Sequence, residues 1–483
     1  MLAIFLSLFS LFSLSTDASA DVLLQDTVKR HPHRQAVADT SARLLTINQI
    51  YLVGNRITRD RIILRELSLK PGDLVSTADL AAILERDQKK LINTRLFNTA
   101  TIRTLELEPG KTDLLVDLNE RWYTFPAPIF ELADRNFNEW WQNYHHDLKR
   151  VNYGLRLYQH NMRGRNETLR FIAQFGFIRR FDLSYRFPYI DRKQKQGITL
   201  NVDFSETKNL AYRTVDHKLE YIQSSHILKN TRGASIGYTY RKSFYETHGF
   251  AIEYRDNRIS DTIAYLNPNY LGPEVKQQKF GAVSYTFTSD HRDYIGYPLK
   301  GYFLNGSIYR SGITASDDLK KTEVNINMAG YLDLKKGFYL SDNIVTFWSS
   351  PSSGLPYASY SALGYRKQLV RGYEVYVIEG PKFFLNKMTF KKRIFSHIYH
   401  WKDMPIPQFR HIPLAVYLKT YSDVGYVQGY PNYTISSRLA NRWLGSVGAG
   451  IDIVGSYDAV LRFEYTCNAE GQRGFFFNFK KEF

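Results

Sequence analysis

The chain of 483 residues has one cysteine, Cys467, so it can form neither an intramolecular disulfide nor a cysteine-rich metal site. It has no internal run of roughly 18 apolar residues, which leaves no candidate for a helical membrane span. It also lacks a serine-containing nucleophile elbow and any HExxH spacing. Two histidine groupings remain, His145-His146-Asp147 after Trp140-Trp141 and His397 with His400 near Asp403. Neither places a nucleophile or activated water beside a base, so both read as polar loop chemistry. No enzyme activity, no metal site and no cofactor are expected. The net charge is +17, but no recognised nucleic-acid motif accompanies it, so no nucleic-acid partner is expected.

Aromatic residues are abundant, with 35 Tyr and 31 Phe. Mean hydropathy is only −0.37. That pairing excludes little on its own, because a transmembrane β-barrel alternates lipid-facing and lumen-facing residues and keeps its average hydropathy low. The aromatics are the supply that interfacial girdles require, and the basic charge suits a basic lumen or contact with anionic lipid head groups. At the N-terminus, residues 2–14 are apolar and Ala18-Ser19-Ala20 offers a small-residue cleavage site. This predicts a secretory signal peptide over 1–20, although the usual basic residue after Met1 is missing and no lipoprotein-type cysteine follows. Residues 21–42, with His31-Pro32-His33-Arg34, are polar and patternless and read as a linker.

Residues 43–121 read as a compact β-α-α-β-β module. Leu45, Ile47, Ile50 and Leu52 form a strand that turns at Gly54-Asn55. Thr58 is expected to cap a helix over 58–65, which Lys70-Pro71-Gly72-Asp73 breaks. A second amphipathic helix is expected over 76–93, with Leu80, Ile83, Leu84 and Leu91 at helical spacings. Leu96-Phe97 then leads into two strands, 99–107 and 114–118, around Pro109-Gly110.

Residues 122–483 change to period-2 alternation. Val447, Ala449, Ile451 and Ile453 alternate with Ser446, Gly448, Gly450 and Asp452, and Phe475, Phe477, Phe479 and Phe483 share one face of the last strand. Long strands with one apolar face and one polar face fit a wall between lipid and water, and fit a soluble sandwich less well. Counting from 126–133 to 473–483 gives a mainly β fold, a transmembrane antiparallel β-barrel of about 16 strands. In this count 211–224 is a structured external loop, and 395–409, between strands 381–394 and 410–423, is an unusually long connection on the inner side.

Several motifs fall in a specific order: Gly54-Asn55, Pro71-Gly72-Asp73 and Leu96-Phe97, then Tyr153-Gly154-Leu155 through Asn161-Met162-Arg163-Gly164, Leu183-Ser184-Tyr185-Arg186-Phe187-Pro188-Tyr189, Val370-Arg371-Gly372-Tyr373 and Ser422-Asp423-Val424-Gly425. Taken together, residues 43–483 resemble the BamA/TamA-like superfamily of outer-membrane barrel-assembly and polypeptide-transport proteins, with a single POTRA-like domain over 43–121 and the barrel over 122–483. The marks of the first module are Gly54, Asn55, Gly72, Asp73 and Phe97.

The resemblance implies that Val370-Arg371-Gly372-Tyr373 is the VRGF/VRGY motif of a loop folded into the lumen, with Arg371 meeting Asp423 of the Asp-x-Gly425 strand as a latch. It implies a weak seam between the first strand, at Phe130, and the last, at Phe475, Phe477 and Phe479, with Phe483 as a terminal recognition signal. The implied function is assisted insertion or translocation of polypeptides at the outer membrane of a Gram-negative cell, with the POTRA-like domain in the periplasm. The expected partners are outer-membrane lipids, extended client polypeptides and periplasmic or lipoprotein subunits. Dedicated secretion of one partner protein is the alternative, followed by a pore or a lipid-handling barrel.

Overall fold

The computed structural model describes residues 43–132, 140, 141, 145–364, 368–401, 403, 404, 408, 410–431 and 438–480. The expected signal peptide (1–20), the expected linker (21–42) and Phe483 lie outside the described residues.

The N-terminal module runs β1 (Leu44–Val53), α1 (Asp60–Leu64), β2 (Leu74–Ser76), α2 (Thr77–Asn93), β3 (Phe97–Glu108) and β4 (Lys111–Glu120), one short strand more than the expected order. Its sheet is ordered β2-β1-β4-β3, with β1 and β4 parallel. α2 begins where the Ser76 hydroxyl accepts the Ala78 N–H at 3.2 Å. Leu80, Leu84 and Leu91 turn one face of that helix onto Ile47, Ile62, Leu114 and Val116. Burying a side chain of this size contributes about 1.5–3 kcal/mol, so this core rather than helix propensity holds α2 in place.

The cap expected at Thr58 is not made. α1 starts at Asp60 with no side-chain cap. Thr58 is instead buried and donates its hydroxyl to Glu120 of β4 at 2.6 Å, so it joins the loop to the sheet.

The barrel opens with β5 (Thr124–Leu132), β6 (Val151–Met162), β7 (Glu167–Gly176), β8 (Ile178–Phe187) and β9 (Gln196–Thr207). A separate hairpin, β10 (Asn209–Val215) and β11 (Lys218–Gln223), occupies the stretch expected to be a structured loop. The wall continues with β12 (Lys229–Arg241), β13 (Glu246–Ile259), β14 (Gln277–Asp290), β15 (Gly301–Ser311), β16 (Lys321–Asp333) and β17 (Phe338–Ser350). A two-residue pair, β18 (Ala362–Leu363) and β19 (Ile378–Glu379), lies in the next long loop. The last wall strands are β20 (Lys382–His400), β21 (His411–Gln428), β22 (Trp443–Val454), β23 (Val460–Asn468) and β24 (Arg473–Lys480).

Sixteen of these strands form one antiparallel sheet from β5 to β24. Of the long connection expected at 395–409, residues 395–400 are strand, because β20 and β21 stay paired as far as His400 and His411. Alternation sorts the wall as the pattern predicts. Ile236, Ile252 and Tyr254 are exposed on the outside, whereas Asp182, Asp423 and Asp452 are buried on the inside.

The N-terminal module is seated on the turns at the barrel's near end. Arg59 N–H donates to Gly164 O at 3.0 Å, and Asn161 Nδ2 donates to the Thr58 hydroxyl at 2.8 Å. Arg241, at the end of β12, grips Glu66 with both Nη atoms at 2.8 Å. Arg65 lies over the Tyr189 ring at 3.7 Å. Asn93 Nδ2 donates to Asp293 O at 3.1 Å, and Asp458 stands 3.6 Å from both Arg95 and Arg121. The buried Glu66 is shared by Arg241 of the barrel and Arg65 of the module, so this charge cluster ties the two together. Arg241→Ala is expected to raise amide hydrogen exchange in residues 58–66 and 188–196 while leaving the heat-modifiable barrel band unchanged. Unaltered exchange there would show that the other contacts seat the module unaided.

Candidate functional site

The loop between β17 and β20 carries Val370-Arg371-Gly372-Tyr373 into the barrel interior. The Arg371 guanidinium donates through Nε to Asp423 Oδ2 at 2.9 Å and through Nη2 to Asp423 Oδ1 at 2.5 Å. The Arg371 backbone N–H adds a third bond to Asp423 Oδ2 at 3.0 Å. Nη1 reaches Glu464 Oε1 at 3.3 Å, and the guanidinium plane lies 3.7 Å over the Tyr421 ring. Only arginine offers a planar fork for a bidentate carboxylate together with a face for stacking, so lysine could not replace it.

The neighbouring residues shape the seat. Gly425, two positions on from Asp423 and on the same inner face, faces Val370, and a Cβ there would stand 2.5 Å from Val370 Cγ2. The Asp-x-Gly pattern therefore supplies an acceptor and a vacancy one pleat apart. Gly372 holds φ +83, a conformation that disfavours any Cβ, and its carbonyl accepts Asn468 Nδ2 at 2.7 Å. Tyr373 and Val370 are buried against Val345, Leu385, Val427 and Leu444. Gly448 leaves room for the Tyr421 ring, whose hydroxyl lies 2.5 Å from where a Cβ would be.

Sequence reasoning missed the charges behind the pair. Lys419 sits 2.7 Å from Glu464 and 2.5 Å from Asp452, and the Tyr297 hydroxyl donates to Asp452 at 2.8 Å. Lys419 and Asp423 alternate on the inner face of β21, and Asp452 and Glu464 occupy inner positions of β22 and β23. Charged residues at alternate positions within otherwise apolar strands were the signal that could have found this network. The hairpin β10–β11 covers the loop from outside. Val377 N–H donates to His217 O at 2.7 Å, and His217 Nε2 accepts Leu439 N–H at 3.0 Å. Burial pushes the His217 imidazole below its ordinary pKa, which fits a neutral ring acting as acceptor.

The remaining sequence-derived positions are placed as follows. Phe130 on β5 and Phe475 and Phe477 on β24 are exposed on the outer face. Phe479 lies in β24. Gly54 holds φ +92 hard against Leu118 O, and Asn55 Nδ2 donates to Asp60 Oδ1 at 2.6 Å. Gly72 and Asp73 form the turn before β2, where Asp73 Oδ2 accepts Lys70 N–H at 2.8 Å, and Phe97 is buried in the module's core. His145 and His146 occupy a left-handed turn beside Trp140 and Trp141, and His397 meets Tyr399 edge-on. Among the described residues no group of three His, Cys, Asp or Glu side chains is placed to hold a metal ion.

Comparison with known proteins gives two family matches. Residues 45–121 match the profile "POTRA: Surface antigen variable number repeat", and residues 161–483 match the "Omp85 superfamily domain". No protein of curated function matches the chain by sequence. Among solved structures, BamA from Haemophilus ducreyi lacking POTRA domains 1–3 is similar with a TM-score of 0.51 at 15% identity, over 90% of this chain and 84% of that one. CdiB from Acinetobacter baumannii gives 0.48 at 14% identity, over 90% and 73%. CdiB from Escherichia coli gives 0.49 at 10% identity, over 90% and 88%. At 15% identity the likeness to BamA speaks to fold alone.

Arg371→Ala leaves the Asp423 carboxylate buried without its fork, and Asp423→Ala leaves the guanidinium stranded. Each single change is expected to destabilise the loop by about 3–5 kcal/mol, and the double change by less than the sum. Limited proteolysis within 350–380 of the folded barrel measures this. Wild-type protease resistance in all three variants would remove Arg371 as the loop's anchor.

Proposed function

The chain belongs to the Omp85 superfamily, and on that premise we propose that it inserts or translocates polypeptides at a Gram-negative outer membrane through a barrel that opens sideways between β5 and β24. The observation that carries this reading is the state of the sheet's two ends. Fifteen neighbouring strand pairs are joined by ladders, but among the described residues no ladder joins β5 to β24. A strand end with unpaired N–H and C=O groups is a template for an incoming strand, so client handling here is β-augmentation and needs no covalent chemistry.

The latch supports the same reading. Arg371 touches Asp423 on β21, Glu464 on β23 and Thr389 on β20, so it braces the wall that borders the last strand. A stiff wall beside a weak seam confines opening to the seam. The POTRA module, held in the periplasm against the barrel turns, brings a short sheet with free edges to the mouth where extended clients arrive. Outer-membrane lipids surround the exposed aromatic face, and lipoprotein or other periplasmic subunits are the expected assembly partners. Secretion of a single dedicated partner is the second reading, and the POTRA match over 45–121 is compatible with both.

Joining the two ends tests the mechanism. Phe130→Cys and Phe477→Cys in a Cys467→Ser background should, once oxidised, abolish client handling that reduction restores. Full activity with the seam crosslinked would defeat lateral opening. Depletion of the protein, followed by an inventory of outer-membrane and secreted proteins, separates the two readings. Broad loss of barrels indicates assembly, and loss of one secreted protein indicates dedicated transport.

A further inference from the structure

Between the POTRA module and the inner barrel wall lies a cavity of about 780 Å³. Eight arginine or lysine side chains line it, against two carboxylates, Glu66 and Asp290. Both carboxylates are already engaged, Glu66 by Arg241 and Asp290 by Arg292. Behind the lining, Asp458 serves Arg95 and Arg121 together, and Asp182 serves Arg170. Arg186 and Lys195 have no carboxylate within ion-pair distance among the described residues, and the only hydrogen bond of Arg186 is a long one, 3.4 Å, to the Thr168 hydroxyl. Arg186, Arg95, Arg121 and His160 nevertheless line the same cavity. Holding like charges together inside a walled space is unfavourable without an anion to neutralise them.

We propose that this chamber binds a phosphate group, contributed by a lipid head group or by a free phosphate. The donors arrive from separate directions. Arg95 and Arg121 come from the POTRA module, Arg170 and Arg186 from β7 and β8, and Lys195 from the turn after β8. One bidentate arginine satisfies a carboxylate, whereas the tetrahedral oxygens of a phosphate need donors on several sides, which is the arrangement found. The size lies within the range of small-ligand sites, roughly 300–1,000 Å³, and Trp122, Phe125 and Tyr158 supply an apolar flank. Phe125 belongs to β5, the strand at the end of the sheet, so acyl chains of a lipid held by its head group would leave towards the seam. Because the POTRA module forms one side of the chamber, ligand binding would also hold the module on the barrel.

The test is calorimetric titration of the full chain in a non-ionic detergent with inorganic phosphate, dihexanoyl phosphatidic acid and a polyglutamate peptide. One saturable site for the phosphate-bearing probes is expected. Arg186→Gln should weaken it by about tenfold, the value of one charge-assisted hydrogen bond, and Arg186→Lys should retain most of the affinity. Arg186 has no acidic partner among the described residues, so its neutralisation strands no carboxylate. Lys195→Gln, an exposed turn residue, is the second variant, with a smaller loss expected. Tighter binding of phosphatidic acid than of phosphate assigns the site to lipid head groups, and equal binding assigns it to free phosphate. The proposal is overturned if no phosphate probe saturates, if both substitutions leave affinity unchanged, or if polyglutamate binds there and phosphate does not displace it.

Discussion

The Arg371–Asp423 pair is the constraint around which the upper half of the barrel is arranged. A loop of some thirty residues between β17 and β20 would lose about 1–2 kcal/mol of backbone entropy for each residue fixed, so it stays in the lumen only where strong, directional contacts hold it. Three hydrogen bonds to one fully buried carboxylate supply those contacts. The desolvation of two charges is offset only because every nearby group is arranged for it: the Tyr421 ring beneath the guanidinium, Glu464 beside it, and Lys419 neutralising Glu464 in turn. The apolar seat around Val370 and Tyr373 depends on that anchor being in place.

The opposite end of the barrel uses a different strategy. There the POTRA module is spread across many turns, each contributing one or two polar contacts: Gly164 to Arg59, Arg241 to Glu66, Asp293 to Asn93 and Asp458 to Arg95 and Arg121. The phosphate chamber lies where these contacts surround a surplus of positive charge, so ligand occupancy and module docking are energetically coupled. Between the two ends of the barrel, fifteen strand pairs are joined by ladders, and among the described residues no ladder joins the first strand to the last.

Much of the architecture was legible because a membrane barrel imposes a period of two. The alternation of Val447, Ala449 and Ile451 with Ser446, Gly448 and Gly450 corresponds to the outer and inner faces of β22, and the count of about 16 strands equals the wall observed. α2 was legible through the helical spacing of Leu80, Leu84 and Leu91, whereas Ser76, read as its first residue, is its cap. Thr58 was misread because a threonine before a helix has the same local sequence whether it caps or reaches across to Glu120. The sequence reading ended the strand at 394 and so missed the extension of β20, which cross-strand pairing with β21 carries to His400.

By itself the sequence determined the periodicity and the order of motifs, and the meeting of the arginine, the aspartate and the glycine in the lumen was what the family resemblance implied. Periodicity and motif order are local or pattern-borne properties, fixed by side-chain alternation. Only the tertiary structure decided that Glu464 and Lys419 stand behind the latch, that His217 covers it from outside, and that Arg95, Arg121 and Arg186 converge on one chamber. These residues are far apart along the chain and sit in unrelated local contexts. Electrostatic neighbourhoods depend on distance in space, and closing the sheet into a barrel is what converts one distance into the other.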